Sequence, residues 1–125
     1  MAMLQRRTMY ALEALVYMAN GHGGYVTVAQ MARDLKLPKP FLRSTFQVLA
    51  RYGLVESRKG PTGGFRFINH PKKMTLHSVV LGIQGRLVVA PNIGKGREHQ
   101  ALVLLQKEVE KLLKGISIES LTKDV

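Results

Sequence analysis

The chain has 125 residues, 46% of them hydrophobic, and a formal net charge of +11 at neutral pH, a size that fits one domain or one small domain with an accessory oligomerisation element. It contains no cysteine, which excludes disulfides, thiolate metal sites, a cysteine nucleophile and cysteine-ligated iron–sulfur clusters. No stretch approaches the roughly 20 apolar residues needed to span a bilayer, and the segment around Gln5, Arg6 and Arg7 lacks a signal peptide's apolar core, so a cytoplasmic protein with no membrane partner is expected.

Residues 4–20 read as a helix with Leu4, Leu12, Leu15, Val16 and Ala19 on its apolar face and Ala11 and Ala14 favouring the helical state. The run Gly21-His22-Gly23-Gly24 ends it. Thr27 followed by Gln30 has the spacing of a capping box and opens a short second helix, whose inner face is Val28, Met31, Ala32 and Leu35. A third helix is expected over 40–52, burying Phe41, Leu42, Phe46, Val48 and Leu49, with Gly53 as its natural stop. Two short runs follow, 54–57 and 65–68, separated by Arg58-Lys59-Gly60-Pro61-Thr62-Gly63-Gly64. Glycines that permit positive φ and a proline with fixed φ favour a reversal there, hence a β-hairpin with a basic tip.

Beyond a loop at 69–73, Thr75 can cap a helix over 76–84 that buries Val79, Val80 and Ile83 and stops at Gly85. Residues 86–96, with Pro91, Asn92, Gly94 and Gly96, read as irregular. A long helix is expected over 97–114, roughly 27 Å in length, and Ser117 caps a final turn through Leu121. In that helix Leu102, Leu105, Val109 and Leu112 are spaced by three, four and three, a heptad seam that needs a partner surface. We read it as a dimerisation helix. The fold class is therefore mainly α with a small β-hairpin. Residues 1–85 form a winged helix-turn-helix domain, 86–96 a connecting or effector loop, and 97–125 the dimerisation helix and C-terminal turn.

The charge is concentrated. Residues 36–73 carry nine basic groups against the single acid Glu56, a net +8 of the chain's +11. Such a segment is the footprint of a polyanion site, where neutralising phosphates releases counterions. A hairpin tip of small residues approaches a polyanion closely, and flanking guanidinium groups reach phosphates or a minor groove. Helix, break, helix and basic hairpin in this order make double-stranded DNA the expected partner.

The residues also resemble a known family, the Rrf-two transcription regulators, along nearly the whole chain. The matching residues are Tyr10-Ala11-Leu12 and Ala14-Leu15, then Val26-Thr27-Val28-Ala29 with Met31-Ala32, then Leu42 and Leu49-Ala50. Gly53-Leu54-Val55 and Ser57 to Phe65 are the most specific part, and Met74-Thr75-Leu76 through Val79-Val80 to Gly85 completes it. The resemblance implies a homodimer on a palindromic operator, with the third helix in the major groove and the wing in the minor groove. The expected DNA-binding residues are Lys39, Arg43, Ser44 and Gln47 of the third helix, and Arg58, Lys59, Gly60, Thr62, Gly63, Gly64 and Arg66 of the wing. Arg43 is the candidate for a bidentate pair with guanine, and Arg58 and Lys59 for phosphate or a narrow minor groove. Arg6 and Arg7 are candidates for added phosphate contacts. The expected dimer interface is Leu102, Leu105, Val109 and Leu112.

One departure bears on function. In the cluster-binding members of that family three cysteines lie in the region occupied here by 85–97, and Met9 stands where some members supply an acidic ligand from the partner subunit. His22, His70, His77 and His99 are scattered without ligand spacing. No metal or cofactor is expected, which leaves a small-molecule or protein effector as a candidate for the loop 86–96. An enzyme is not expected, since Ser44, Ser57 and Ser78 lack a surrounding motif and Gly60-Pro61-Thr62-Gly63-Gly64 is not followed by the lysine of a phosphate-binding loop. The regulator is read as a repressor. A winged-helix protein-interaction module and a nucleic-acid binder without sequence preference, including one for double-stranded RNA, are the rival readings.

Overall fold

The computed structural model describes residues 3–21, 23–61, 63–89 and 95–122. In chain order they form α1 (Arg6–Ala19), α2 (Val28–Leu35), α3 (Lys39–Arg51), β1 (Val55–Arg58), β2 (Gly64–Phe67), α4 (Leu76–Gln84) and α5 (Arg97–Gly115), with 3-10 turns at Pro71–Lys73 and Glu119–Thr122. Mainly helical with one antiparallel hairpin, this is a winged helix. Capping chemistry fixes the helix starts. The Thr27 hydroxyl accepts a hydrogen bond from the Gln30 amide at 3.0 Å, and Thr75 and Ser78 complete a reciprocal capping box at the start of α4.

The core joins α1, α2, α3 and α4 to the hairpin. Leu15, Met31, Leu42, Phe46, Leu49, Val55 and Val79 are fully buried, and the rings of Phe46 and Phe65 lie 5.2 Å apart. The buried stripe of α1 is rotated from the face expected from its large apolar residues. Ala11 and Ala14 have no exposure, as do Leu15 and Thr8, whereas Leu12, Val16 and Ala19 are half-buried. Small side chains let α1 approach α3 and α4 closely, so its alanines are core residues and not only helix formers. In α3 Thr45 joins Leu42, Phe46 and Leu49 in the core, while Phe41 and Val48 are half-buried.

A third strand-like segment supports the hairpin. Val26 and Phe65 exchange both backbone hydrogen bonds at 2.8 Å, tying the chain just before α2 to β2. The C-terminal segment also returns to the core. Ile118 donates its amide to the Met74 carbonyl at 2.7 Å, Leu76 donates to Ile116 at 2.9 Å, and the Ile118 side chain is fully buried.

α5 packs on α4 by one face and leaves another open. Gln106, only 5% exposed, donates to the Leu87 carbonyl at 2.7 Å and accepts from the Val89 amide at 2.8 Å. It thus holds the segment after α4 as a neighbouring strand would. Of the seam, Leu105 is 47% and Leu112 64% exposed, Leu102 and Val109 are half-buried, and Leu104, outside the seam, is also exposed. Residues 90–94 of the expected effector loop lie outside the described residues.

Candidate nucleic-acid interface

The wing is an antiparallel ladder in which Val55 faces Phe67, Glu56 faces Arg66, Ser57 faces Phe65 and Arg58 faces Gly64. Alternation places Val55 and Phe65 inward and sends their neighbours outward. Two glycines make the tip possible. A Cβ on Gly63 would stand 2.0 Å from the Arg58 carbonyl oxygen, and one on Gly64 would stand 2.3 Å from that of Val26. Both positions therefore shape the hairpin through close backbone approach.

On the outer face of the ladder, charge is arranged around one ring. The Arg58 and Arg66 guanidinium carbons lie 4.1 and 4.8 Å from the centroid of Tyr25. Arg66 also pairs with Glu56, whose carboxylate holds that guanidinium even more firmly protonated than usual. The only acid in the basic segment is thus engaged beside Tyr25.

The other side of the wing faces α3 across an open cleft of about 580 Å³, lined by Arg43, Gln47, Arg51, Arg58, Lys59 and Phe65 among others. Arg43, Gln47 and Arg51 recur every fourth residue, so α3 presents them as one exposed ridge. Their alignment follows from the burial of Leu42, Phe46 and Leu49 on the reverse of the same helix. Among the described residues no carboxylate pairs with Arg43, Arg51 or Lys59. The cleft can accommodate a polyanion between a helix ridge and a basic hairpin.

The structure gathers Arg43, Gln47, Arg58, Lys59 and Gly64 at that cleft. Lys39 is exposed at the first turn of α3, and Gly60 is exposed at the turn of the hairpin. Ser44 stands apart. Its hydroxyl donates to the Phe41 carbonyl at 3.1 Å, and it lines a different cleft beside α1. Arg66 is directed to Glu56 and Tyr25, and Thr62 lies outside the described residues. Arg51 was expected only as one of the basic groups of residues 36–73, and Tyr25 was not among the expected site residues. The four-residue spacing from Arg43 through Gln47 was the available signal for Arg51, whereas Tyr25 reaches the wing only through the Val26–Phe65 pairing.

An α3 ridge beside a glycine-built basic wing defines a winged helix-turn-helix of the kind found in transcription regulators. Residues 4–124 match the model of the Rrf2 family, described as "Iron-dependent Transcriptional regulator". The chain belongs to this family of transcriptional regulators, which are not enzymes. A protein of Aquifex aeolicus described as an HTH-type transcriptional regulator is 39% identical over 57% of this chain, which there spans about half (49%) of the relative's length. The HTH-type regulator BadM of Rhodopseudomonas palustris is 28% identical over 96% of this chain and 81% of its own. Among solved structures, CymR, the global cysteine regulator of B. subtilis, superposes with a TM-score of 0.86 at 20% identity, covering 99% of this chain and 100% of that one. T. potens IscR does so with a TM-score of 0.78 at 22% identity, covering 94% and 85%.

The family's description as iron-dependent poses a question of fit. These 125 residues contain no cysteine, and among the described residues no cluster of three or more histidines and carboxylates could hold a metal ion. The Nδ1 atom of His70 accepts from the Lys72 amide at 3.0 Å. In place of a cluster, the start of the α4–α5 segment has the Arg86–Glu110 pair at 2.8 Å and the Gln106 amide. The residues do not fit an iron–sulfur cluster.

Proposed function

We propose that this protein is a homodimeric, sequence-specific DNA-binding regulator in the cytoplasm that represses transcription by occupying a palindromic operator. The α3 ridge reads the major groove and the wing tip follows the adjacent backbone into the minor groove. The observation that carries this reading is the shared cleft, where Arg43 and Gln47 of α3 face Arg58 and Lys59 of the wing. Arginine and glutamine supply bidentate donor and acceptor patterns for base edges, and the wing supplies positive charge for phosphates. The open seam of α5 supports the dimer, since Leu105 and Leu112 leave an apolar stripe that a second copy can cover.

Selection of bound duplexes from a random DNA pool, followed by titration of the winner at two salt concentrations, tests the reading. An enriched inverted repeat bound tightly and with steep salt dependence is expected. Absence of any enriched sequence rejects sequence-specific reading, and a preference for A-form duplex assigns the basic surface to RNA. A reporter placed behind the selected operator then reads the sign of regulation, with repression expected.

A further inference from the structure

We infer that a second cleft, between the start of α1 and α3, receives the other phosphate backbone of the duplex, with Arg7 and Arg51 as its contacts; this rests on the DNA-binding reading above. The cleft, of about 280 Å³, is lined by Arg7 on one side and by Ser44, Gln47 and Arg51 of α3 on the other. Gln47 and Arg51 also line the wing cleft. The ridge of α3 therefore separates two hollows, one bounded by Arg58 and Lys59, the other by Arg7. A major groove about 12 Å wide has a backbone along each edge, so a helix lying in it meets phosphates on both flanks. The wing serves one flank. Arg7 and Arg51 give the other flank its positive charge, and among the described residues neither is paired with a carboxylate.

The first turn of α1 is held where this contact needs it. The Gln84 side chain, at the end of α4, accepts from the Gln5 amide at 2.9 Å and the Thr8 hydroxyl at 2.7 Å, and donates to the Met3 carbonyl at 2.8 Å. Gln5 in turn accepts from Arg7 Nε at 3.1 Å. Four hydrogen bonds thus connect the guanidinium to the body of the domain, which makes Gln84 a positioning residue for Arg7 and reduces the ordering left to binding. Ser44, whose hydroxyl is turned to its own helix, lies on the wall of this cleft and not of the other.

Binding of the selected operator by Arg7→Gln and Arg51→Gln proteins, compared with Lys59→Gln, provides the test. Each of the first two substitutions should weaken operator and random DNA alike, on the order of tenfold near 0.1 M salt, and lower the salt slope by about 1. Replacing operator phosphates singly with neutral methylphosphonates should give two sensitive groups, one on each strand. Arg7→Gln and Arg51→Gln should abolish sensitivity in one group, and Lys59→Gln in the other. Adding Gln84→Ala to Arg7→Gln should cause no further loss, as expected of a residue acting through Arg7. Wild-type affinity and slope for Arg7→Gln and Arg51→Gln alongside an impaired Lys59→Gln protein would overturn the second cleft and leave the wing reading intact. Unchanged binding by all three would remove the DNA reading beneath it.

Discussion

The Arg58 guanidinium carbon lies 4.1 Å from the centroid of the Tyr25 ring, so the wing's first strand is steadied by a residue from the chain just before α2. A cation over an aromatic face is worth about 0.5–1 kcal/mol at an exposed site. Tyr25→Leu should lower affinity for DNA two- to fivefold, on the order of that energy, while Tyr25→Phe retains the ring and near-normal binding. Titration of both variants against operator DNA checks this, and equal losses for the two would assign the effect to the phenol hydroxyl instead of the ring face.

Arg43 occupies the middle of the α3 ridge at the wing cleft. Its replacement by alanine should cost about 1–3 kcal/mol on the operator and relax sequence preference at one position of each half-site. Competition between operator and random DNA measures the two effects together. Identical losses on both would reassign Arg43 to phosphate.

Leu105 is 47% exposed on the open stripe of α5. Leu105→Glu places a charge in that stripe and should convert dimers to monomers, with much weaker operator binding and little change in the melting of the monomer fold. Sedimentation equilibrium gives the mass directly, and a variant of unchanged dimeric mass would exclude the seam as the interface.

Glu110 accepts from Arg86 Nε at 2.8 Å and from Gln106 at 3.0 Å, and the Arg86 contact foremost holds its carboxyl below the ordinary carboxylate range. A depressed folded-state value means a stabilising contribution present at neutral pH and lost as pH falls through that value. The melting temperature of the wild type should exceed that of Glu110→Gln near about pH 6, and the gap should close toward about pH 3. A gap constant over that range would show that the pair contributes nothing through its charge.

Lys36 ends α2 with φ +57, in the left-handed region. Lys36→Gly removes the Cβ penalty and should stabilise the fold by on the order of 1 kcal/mol, read from urea denaturation midpoints. A destabilised variant would mean that the lysine side chain contributes more than its backbone conformation costs.

Elements governed by local chemistry were legible in the sequence. Thr75 and Gly85 delimit α4 at its observed ends, and the glycine-proline run marks the hairpin within a residue at either strand. What escaped depends on partners distant in sequence. The Val26 pairing with Phe65, the burial of Ile118 and the clamp of Gln106 on Leu87 and Val89 arise from segments 17 to 44 residues apart, and no periodicity encodes them. At the candidate interface, the family resemblance singled out Arg43 and Gln47, which line the wing cleft. The orientation of Ser44 away from the wing, and of Arg66 toward Glu56, followed only once α1 and Tyr25 were placed beside them.

α5 is fastened at its middle, by Gln106 to the chain leaving α4, and just past its C-terminus, by the Ile116–Ile118 return to Met74 and Leu76. A helix held so is a yoke and not a tether. In a dimer built on it, the distance and twist between the two α3 ridges become properties of the protein, not of the DNA. An extra base pair between half-sites turns one half-site by about 34–36° relative to the other. Such a yoke would not follow that turn, so a dimer built on it should discriminate operators by the gap between their halves as well as by the letters within them.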